Sequence, residues 1–338
     1  MESKVINDIR MALEQKQANL SLWTEVTPEE KKHLQLGTAE ETAVIQQLEH
    51  ISVALEEIQE GTLGVCDVCH GLVDENLLQM DYTSCVCLDH YSDEQRRALE
   101  SELEISQSVQ RGLLPQQVPS IPGLDIATFS RPAQIVTGDY FDFVHFKDGA
   151  PGLVIADVSG HGVSAGMFMT SLQTAFHTLA PDTISPLEVL ERINRLYIHN
   201  INFTTFVTVF FARLEPLTRT LCYANAGHPA LLYRAATGEF LSLQRTGPAI
   251  GLVEDYPFRL EEVQLQSGDI LVLYTDGLTE AMDAQHHQFG DAALADAVRK
   301  NKDASAEGLV AGILEAVNSY IRGAALADDI TLMVSKAV

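Results

Sequence analysis

The sequence predicts an α+β protein built on antiparallel sheets, and three observations support this fold class. In the second part of the chain, short apolar runs follow one another with tight turns between them, as consecutive antiparallel strands do. Helical patterns occur there in blocks between groups of strands, which disfavours a parallel doubly wound sheet. The first part of the chain lacks such strands and combines helical patterns with a cluster of cysteines.

Composition sets the broad class of the protein. The chain has 338 residues, of which 46% are hydrophobic, enough for a substantial core in one or two domains. It has 47 acidic and 22 basic residues and a net charge of −25, which disfavours binding to nucleic acid or to an anionic membrane. We find no apolar run long enough to span a membrane and no signal-peptide pattern, so we expect a cytoplasmic protein.

Residues 1–60 are predicted to be helical. Thr27-Pro28-Glu29-Glu30 and Thr38-Ala39-Glu40-Glu41 both have the residue order of a capped helix start. The second start leads into apolar residues that alternate at spacings of four and three, which predicts one buried helical face. These residues are Val44, Leu48, Ile51, Leu55 and Ile58. We expect a helical hairpin that packs on itself.

Four of the five cysteines lie between residues 66 and 87. In a chain without secretory features, such a cluster favours one structural zinc ion over disulfide bonds. Cys66 and Cys69 enclose two residues, and Cys87 and His90 enclose two residues as well, so these four form two matching ligand pairs. Cys85 is the alternative fourth ligand in place of His90.

The segment around the first cysteine pair resembles a known family. The run Leu-Glu-Glu-Ile-Gln-Glu-Gly-Thr-Leu-Gly-Val-Cys-Asp-Val-Cys is similar to the junction of helix and zinc finger in the DksA/TraR family. The resemblance covers residues 1–92, which we expect to be one domain. This chain departs from that family in His90, which replaces the usual fourth cysteine, and in His70, where a glycine commonly follows the first pair. The resemblance implies a structural or interaction module.

Residues 93–116 are predicted to form a helical connector that ends near Pro115. Its apolar positions are interrupted by polar residues, so both a solvated spacer and a dimeric coiled coil fit the pattern. The apolar positions are Leu99, Leu103, Ile105, Val109, Leu113 and Leu114. We expect a homodimer that pairs through Leu99, Leu103, Val109 and Leu113.

Residues 117–338 are predicted to form the second domain. Strands are predicted at 124–130, 135–146, 152–158, 205–213, 219–225, 229–234, 257–264, 269–275 and 329–335. Helices are predicted at 162–180, 186–201, 290–300 and 305–322. The two sets together give the antiparallel architecture with helices inserted in blocks.

Carboxylates recur at the ends of these strands. Asp157 ends an apolar run and precedes Ser-Gly-His-Gly, and Asp276 ends another run and precedes a glycine. Asp139 begins a strand-like aromatic segment, and Asp328 and Asp329 precede the last apolar run. Carboxylates that converge with few basic neighbours suit hard divalent cations such as Mg²⁺ or Mn²⁺. The pattern therefore predicts a metal centre built by the fold from distant segments.

The same segments carry a second resemblance. Gly-Asp-Tyr-Phe-Asp, Ala-Asp-Val-Ser-Gly-His-Gly, Asn-Ala-Gly-His-Pro, Tyr-Thr-Asp-Gly-Leu-Thr-Glu-Ala and Asp-Asp-Ile-Thr follow one another in the chain. In these blocks and their order, residues 106–336 resemble the SpoIIE-type phosphatases of the PPM (type 2C) superfamily. The resemblance implies two stacked antiparallel sheets flanked by helices, and a site for two Mn²⁺ or Mg²⁺ ions. It also implies a protein serine/threonine phosphatase whose substrate is a phosphoprotein, such as an anti-anti-sigma factor of the STAS fold.

Family correspondence assigns the ligands. Asp157 corresponds to the carboxylate that bridges both ions, Asp139 to a ligand of one ion, and Asp276 and Asp328 to ligands of the other. The backbone carbonyl of Val158 is a further ligand, and Asp329 is the alternative to Asp328. The rival function is a non-catalytic scaffold or transcription regulator that acts through the DksA-like module. A metal-dependent nuclease conflicts with the acidic balance of the chain.

Overall fold

The structure is a computed structural model of the chain. It describes residues 41–73, 85–133, 135–160, 162–200, 206–254, 256–322 and 328–338, together with residue 78 and scattered positions between 6 and 21. The chain divides near residue 101 into an amino-terminal and a carboxy-terminal compact unit. Among the described residues, no helix combines the length and the apolar character needed to cross a bilayer.

The amino-terminal unit contains helix α1 (Glu41–Glu60) and a 3-10 helix (Leu88–His90). Ile51 and Ile58 of α1 are buried, and they form a cluster with Leu13, Ala54 and Leu63. The predicted apolar face of α1 is therefore covered by residues of its own unit. The predicted cap at residues 27–30 lies outside the described residues. Helix α2 (Asp93–Leu113) spans the division between the units in sequence.

In the part of the carboxy-terminal unit that the structure describes, ten strands form two five-stranded sheets. Their bounds are β1 (Leu124–Arg131), β2 (Asp139–His145), β3 (Pro151–Val158), β4 (Val207–Glu215), β5 (Thr220–Ala226), β6 (Ala230–Tyr233), β7 (Phe240–Ser242), β8 (Glu261–Gln264), β9 (Ile270–Tyr274) and β10 (Ile330–Ala337). One sheet has the order β1-β10-β9-β6-β7, and the other has the order β2-β3-β4-β5-β8. All paired strands are antiparallel, which confirms the predicted fold class.

Among the residues described for this unit, five α-helices accompany the two sheets. They are α3 (Val163–Leu179), α4 (Pro186–Asn200), α5 (Asp276–Thr279), α6 (Gly290–Lys300) and α7 (Ala306–Ile321). Alternation along β3 shows how the layers form: Leu153 and Ile155 lie in the core between the sheets, whereas Val154 and Ala156 pack with residues of α3 and α4. Helices α6 and α7 cover the outer face of the other sheet in the same way. The unit is a helix–sheet–sheet–helix sandwich.

The structure corrects the predicted elements at four places. Residues 135–138 were expected to be strand, but they precede β2, because side chains of Gln110 and Asp329 take the hydrogen bonds of their backbone. The strand expected at 257–264 covers only Glu261–Gln264, since Pro257 has no backbone N–H for a ladder. The short elements β7 and α5 were not predicted.

Candidate metal centres

The first two aspartates are brought together by strand pairing. Asp139 begins β2 and Asp157 lies near the end of β3, and the antiparallel register places them directly opposite each other. Opposed residues of paired strands have side chains on the same face of the sheet. Asp139 is 2% exposed, and Asp157 is half-buried. The register of β2 and β3 thus creates a carboxylate pair at one edge of the sandwich.

The other sheet contributes Asp276 and Asp328. Asp276 begins α5 immediately after β9, and Asp328 lies just before β10, which pairs with β9. Gly277 allows the start of α5 to lie against the backbone of Asp329, because a Cβ atom at position 277 would lie 2.1 Å from the carbonyl oxygen of Asp329. Asp276 and Asp328 are exposed, in contrast to Asp139. The carboxylate group therefore runs from a buried end to an end that solvent and substrate can reach.

Thr275 joins the two sheets at this centre. Its hydroxyl donates a hydrogen bond to Asp139 Oδ2 at 2.8 Å and accepts one from the backbone N–H of Thr331 at 2.9 Å. The side chain of Thr275, directly after β9, thereby fixes the orientation of the Asp139 carboxylate on β2. Thr275 was not among the predicted site residues, although its place between the apolar run and Asp276 was the available signal.

Asp329 organises the segment that precedes β2. One of its carboxylate oxygens accepts the backbone N–H of Ala133 at 2.7 Å. The other accepts the hydroxyl of Thr137 at 2.6 Å and the backbone N–H of Gly138 at 2.9 Å. Thr137 also accepts the backbone N–H of Asp139 at 3.0 Å, so Asp329 acts on Asp139 through Thr137. Both oxygens of Asp329 are thus occupied by protein donors.

Electrostatics show that the carboxylates repel one another. Burial, with the charges of Asp276, Asp328 and Asp329, raises the pKa of Asp157 to about 8. Burial also raises the pKa of Asp139 well above its usual value, and the charges of Asp157 and Asp329 add to the effect. Buried carboxylates with raised pKa values favour either a proton or a cation between them. At neutral pH, the arrangement therefore favours divalent cations.

The oxygen atoms at this centre are of the kind that such cations bind, and there is room for ions among them. Carboxylate and carbonyl oxygens are the ligands that Mg²⁺ and Mn²⁺ prefer. The carbonyl oxygen of Val158 lies 3.0 Å from the place of a Cβ atom on Gly138, so a glycine leaves room around it. The aspartates do not form a group whose ligand atoms all lie within 4.8 Å of one another. The ligand atoms of these aspartates are therefore spread over a wider space than the ligands of one ion occupy.

A second candidate centre lies in the amino-terminal unit. The ligand atoms of Cys66, Cys69, Cys87 and His90 all lie within 4.8 Å of one another, and among the described residues they are the only such group. The Sγ atoms of Cys69 and Cys87 are 3.9 Å apart. Two thiolates on one tetrahedral zinc ion lie roughly 3.8 Å apart, given Zn–S bonds of about 2.3 Å. The grouping is the one that the paired spacing predicts, and Cys85 is outside it.

Backbone hydrogen bonds around Cys66 and Cys69 hold this part of the site in shape. The backbone N–H of Cys66 donates to the carbonyl oxygen of Gly71, and that of His70 donates to the carbonyl oxygen of Cys66. His70 has a φ of 55°, in the left-handed region that favours glycine, which explains why a glycine is common there. Burial opposes ionisation of the Cys66 thiol, but hydrogen bonds from the backbone of Cys69 and Cys87 prevail and lower its pKa to about 6. The thiolate that this lowered pKa favours is the form of cysteine that binds metal ions.

Comparison with known proteins places the carboxy-terminal unit in context. A family model described as "Stage II sporulation protein E (SpoIIE)" matches residues 147–338. Among curated proteins, "Phosphoserine phosphatase RsbU" of Bacillus subtilis (strain 168) is 35% identical over 186 residues, which are 55% of this chain and 55% of that protein. The chain spans about half the length of the curated relatives it matches.

Solved structures show the same fold. The SiaA-PP2C domain of Pseudomonas aeruginosa superposes with a TM-score of 0.63 at 20% identity, over 72% of this chain and 98% of that chain. The RsbU and RsbW domains of Rv1364c from Mycobacterium tuberculosis give a TM-score of 0.57 at 26% identity, over 67% of this chain and 63% of that chain. The two-sheet sandwich is thus shared with these structures.

Proposed function

Because this chain belongs to the SpoIIE family, we propose that it is a metal-dependent protein serine/threonine phosphatase of bacterial signalling. The observation that carries the proposal is the convergence of Asp139, Asp157, Asp276 and Asp328 from both sheets on one edge. A relative named as a phosphoserine phosphatase supports the reaction class. The reaction adds water across the phosphate ester of a serine or threonine, which releases the free hydroxyl side chain and inorganic phosphate.

Each aspartate has a role in this proposal. Asp157 would hold both cations. Its charge raises the pKa of Asp139, and the charges of Asp276 and Asp328 raise the pKa of Asp157, so it is close to the ligands proposed for each cation. Asp139 holds one cation, and Thr275 fixes its carboxylate by hydrogen bonding. When bound, the two cations would supply a nucleophile at neutral pH and neutralise the charge that develops on the phosphoryl oxygens.

Asp276 and Asp328 hold the second cation at the exposed end, where a phosphoprotein has access. The carbonyl oxygen of Val158 is the backbone ligand. We assign Asp328 to the metal and Asp329 to positioning, because Ala133, Thr137 and Gly138 already occupy the oxygens of Asp329.

The amino-terminal unit is proposed to be a zinc-dependent structural or interaction module. Its Cys66, Cys69, Cys87 and His90 hold one Zn²⁺, and its similarity to the DksA/TraR family remains our interpretation of the sequence. We divide the chain into this module at 1–92, a connector at 93–116 and the phosphatase domain at 117–338. The substrate is a phosphoprotein, and a STAS-type protein is the candidate we favour. The chain acts in the cytoplasm as a homodimer.

Hydrolysis of p-nitrophenyl phosphate by the full chain tests this function. Activity is expected with Mn²⁺ or Mg²⁺, and it should disappear when a chelator removes the metal and return when the metal is restored. A phosphoserine peptide should be hydrolysed under the same conditions. A well-folded, metal-loaded protein with no activity on either substrate would instead favour the scaffold or transcription regulator.

A further inference from the structure

A cavity of about 500 Å³ lies directly beside the carboxylate centre. Asp157 and Asp276 line one part of it, and Ser242, Gln244 and Arg245 line another. Its volume is in the range of ligand pockets, about 300–1,000 Å³, and is much larger than a phosphoryl group. The cavity therefore has room for the chain on either side of a phosphorylated residue.

The sheet register gives the span of this cavity. Ser242 at the end of β7 pairs with Leu231 of β6, and Leu231 pairs with Val272 of β9. Ser242 is thus two strand spacings from Val272. Because β7 and β9 are both antiparallel to β6, they run in the same direction, β7 towards Arg245 and β9 towards Asp276. Two spacings are roughly 10 Å, a distance that an extended peptide covers with about three residues.

The charges in the cavity are unequally distributed. Three lining residues, Asp157, Asp276 and Asp291, are acidic, and among the described lining residues only Arg245 has a permanently cationic side chain. Arg245 is exposed, and no described residue forms an ion pair or hydrogen bond with its guanidinium group. Arg213 and Arg234, by contrast, are paired with carboxylates of the fold. Arg245 is therefore available to a negative group that enters the cavity.

The other lining groups suit a peptide. Thr208, Thr279 and Gln244 line the cavity as well. The hydroxyl of Thr208 bonds to His228 Nδ1 and that of Thr279 donates to the carbonyl oxygen of Asp276, so each keeps a lone pair that can accept a backbone N–H of an extended chain. The amide of Gln244 can both donate and accept. His228 also lines it, and burial lowers its pKa to about 3, so its imidazole is neutral and adds no second cation. A negative side chain in the cavity thus finds one cation, at Arg245.

We propose that this cavity holds the residues that flank the phosphorylated side chain of a substrate protein. Arg245 selects substrates with an acidic side chain about three residues from the phosphorylated one. The phosphoryl group lies at the aspartate end, roughly 10 Å away, so Arg245 determines specificity and takes no part in the chemical step. This inference rests on the proposed phosphatase function.

Kinetics on short phosphoserine peptides test the inference. One set carries a single glutamate at successive positions on either side of the phosphoserine, and a matched set carries glutamine at the same positions. For the wild-type chain with Mn²⁺, one glutamate peptide should have a kcat/KM at least about tenfold above its glutamine match, as expected for a charged hydrogen bond. Arg245→Gln should abolish this preference, whereas hydrolysis of p-nitrophenyl phosphate should change less than about twofold.

Two further variants complete the design. Arg245→Lys should retain most of the preference, and Arg259→Gln, which removes an exposed arginine that does not line the cavity, should retain all of it. An equal loss on peptides and on p-nitrophenyl phosphate would move Arg245 to the phosphoryl group and overturn the inference. So would a glutamate preference that survives Arg245→Gln. Wild-type inactivity on p-nitrophenyl phosphate would count against the phosphatase function itself, so the two failures are distinguishable.

Discussion

At the scale of single residues, Asp142 and Asp157 show why an acidic side chain near the centre is not automatically a ligand. The carboxylate of Asp142 accepts hydrogen bonds from the hydroxyl of Tyr140, the ring of His177 and the backbone N–H of Phe143. Asp157, in contrast, is held among the charges of other aspartates. The first residue is satisfied by protein donors, whereas the second is suited to a cation.

This contrast gives our first prediction. Asp157→Asn should lower kcat/KM on p-nitrophenyl phosphate by at least about a hundredfold, because the carboxylate that we assign to both cations is lost. Circular dichroism should show an unchanged fold. Asp142→Asn should cost about 1–2 kcal/mol of stability through its hydrogen bonds and leave most of the turnover. Equal losses of activity in the two variants would contradict the ligand assignment.

The raised pKa of Asp157 predicts how stability depends on pH. Its folded-state pKa is about 8, against 3.8 for the ordinary side chain. The folded chain therefore binds more protons than the unfolded chain between these values, and stability of the metal-free protein should fall as pH rises from about 4 to about 8. Thermal melts with chelator should show this decline, and Mn²⁺ should raise the melting temperature most at the upper end. A metal-free melting temperature that rises across this window would refute the prediction.

Asp328 and Asp329 mark the limit of what a sequence shows at this scale. Two adjacent aspartates before an apolar strand have the same local pattern, so chemistry alone leaves both as candidates. The distinction depends on hydrogen bonds to Ala133, Thr137 and Gly138, which are nearly two hundred residues away in the chain. Only the pairing of β10 with β1 and β9 brings these partners to Asp329.

At the scale of elements, α5 depends on one glycine. A Cβ atom at position 277 would meet the carbonyl oxygen of Asp329 at 2.1 Å, and backbone atoms of Asp328 are also close. Gly277→Ala should displace α5 from β10, weaken Mn²⁺ binding at least about tenfold and lower stability by about 1–3 kcal/mol. Titration calorimetry with Mn²⁺ and thermal melts would measure both effects.

Gly112→Ala is the matched control for this substitution. Gly112 lies in α2, and a Cβ atom there would meet nothing within 4 Å. Alanine should therefore stabilise that helix by about 1 kcal/mol and leave Mn²⁺ affinity unchanged. If Gly277→Ala behaves like this control, α5 does not fix the position of Asp276.

The elements also show which parts of the fold the sequence predicts. The long helices α3, α4, α6 and α7 were predicted to within about two residues, because each has more than ten residues over which the helical pattern is visible. The starts of α4 and α7 also carry a serine that is typical of a capped helix. Strand β7 and helix α5 were missed, since elements of three or four residues have too little pattern to detect. Residues 135–138 were predicted as strand because the sequence does not reveal that Gln110 and Asp329 bind their backbone.

At the scale of the whole molecule, the chain contains two groups of side chains that suit different metal ions. The thiolate and imidazole donors of the amino-terminal unit suit zinc, whereas the carboxylates of the carboxy-terminal unit suit Mg²⁺ or Mn²⁺. Elemental analysis of anaerobically purified protein should find about one zinc per chain. Removal of residues 1–95 should eliminate the zinc but spare Mn²⁺-dependent hydrolysis. The Cys85→Ser variant should retain zinc and the His90→Ala variant should lose it. The reverse result would make Cys85, and not His90, the fourth zinc ligand.

Helix α2 contacts the segment that precedes Asp139. The side chain of Gln110 on α2 is buried, donates to the carbonyl oxygen of Thr137 at 2.7 Å, and accepts its backbone N–H at 2.9 Å. Thr137 in turn contacts Asp139 and Asp329. Two successive residues, Gln110 and Thr137, therefore connect α2 to Asp139, which we propose as a metal ligand. We propose that a displacement of α2 is transmitted to Asp139 along these contacts.

The last prediction concerns association through this connector. Ile105 and Val109 of α2 are 60% and 58% exposed, and their spacing of four places them on one face of the helix. Together with the exposed Met167 they line a groove of about 280 Å³, which offers an apolar surface to a second copy of the chain. Replacing Ile105 and Val109 with glutamate should shift the protein from dimer to monomer in light scattering. It should also change the specific activity on a phosphopeptide, because Gln110, which contacts Thr137, directly follows Val109 in α2.

Ile184→Glu is the control for the double variant, because Ile184 is 57% exposed but lies outside α2 and its groove. It should leave both the association state and the activity unchanged. If the double variant resembles this control in both measurements, α2 is only a spacer. A change of association without a change of activity would separate the dimer contact from regulation, since the pathway from Gln110 to Asp139 would then transmit nothing from the interface.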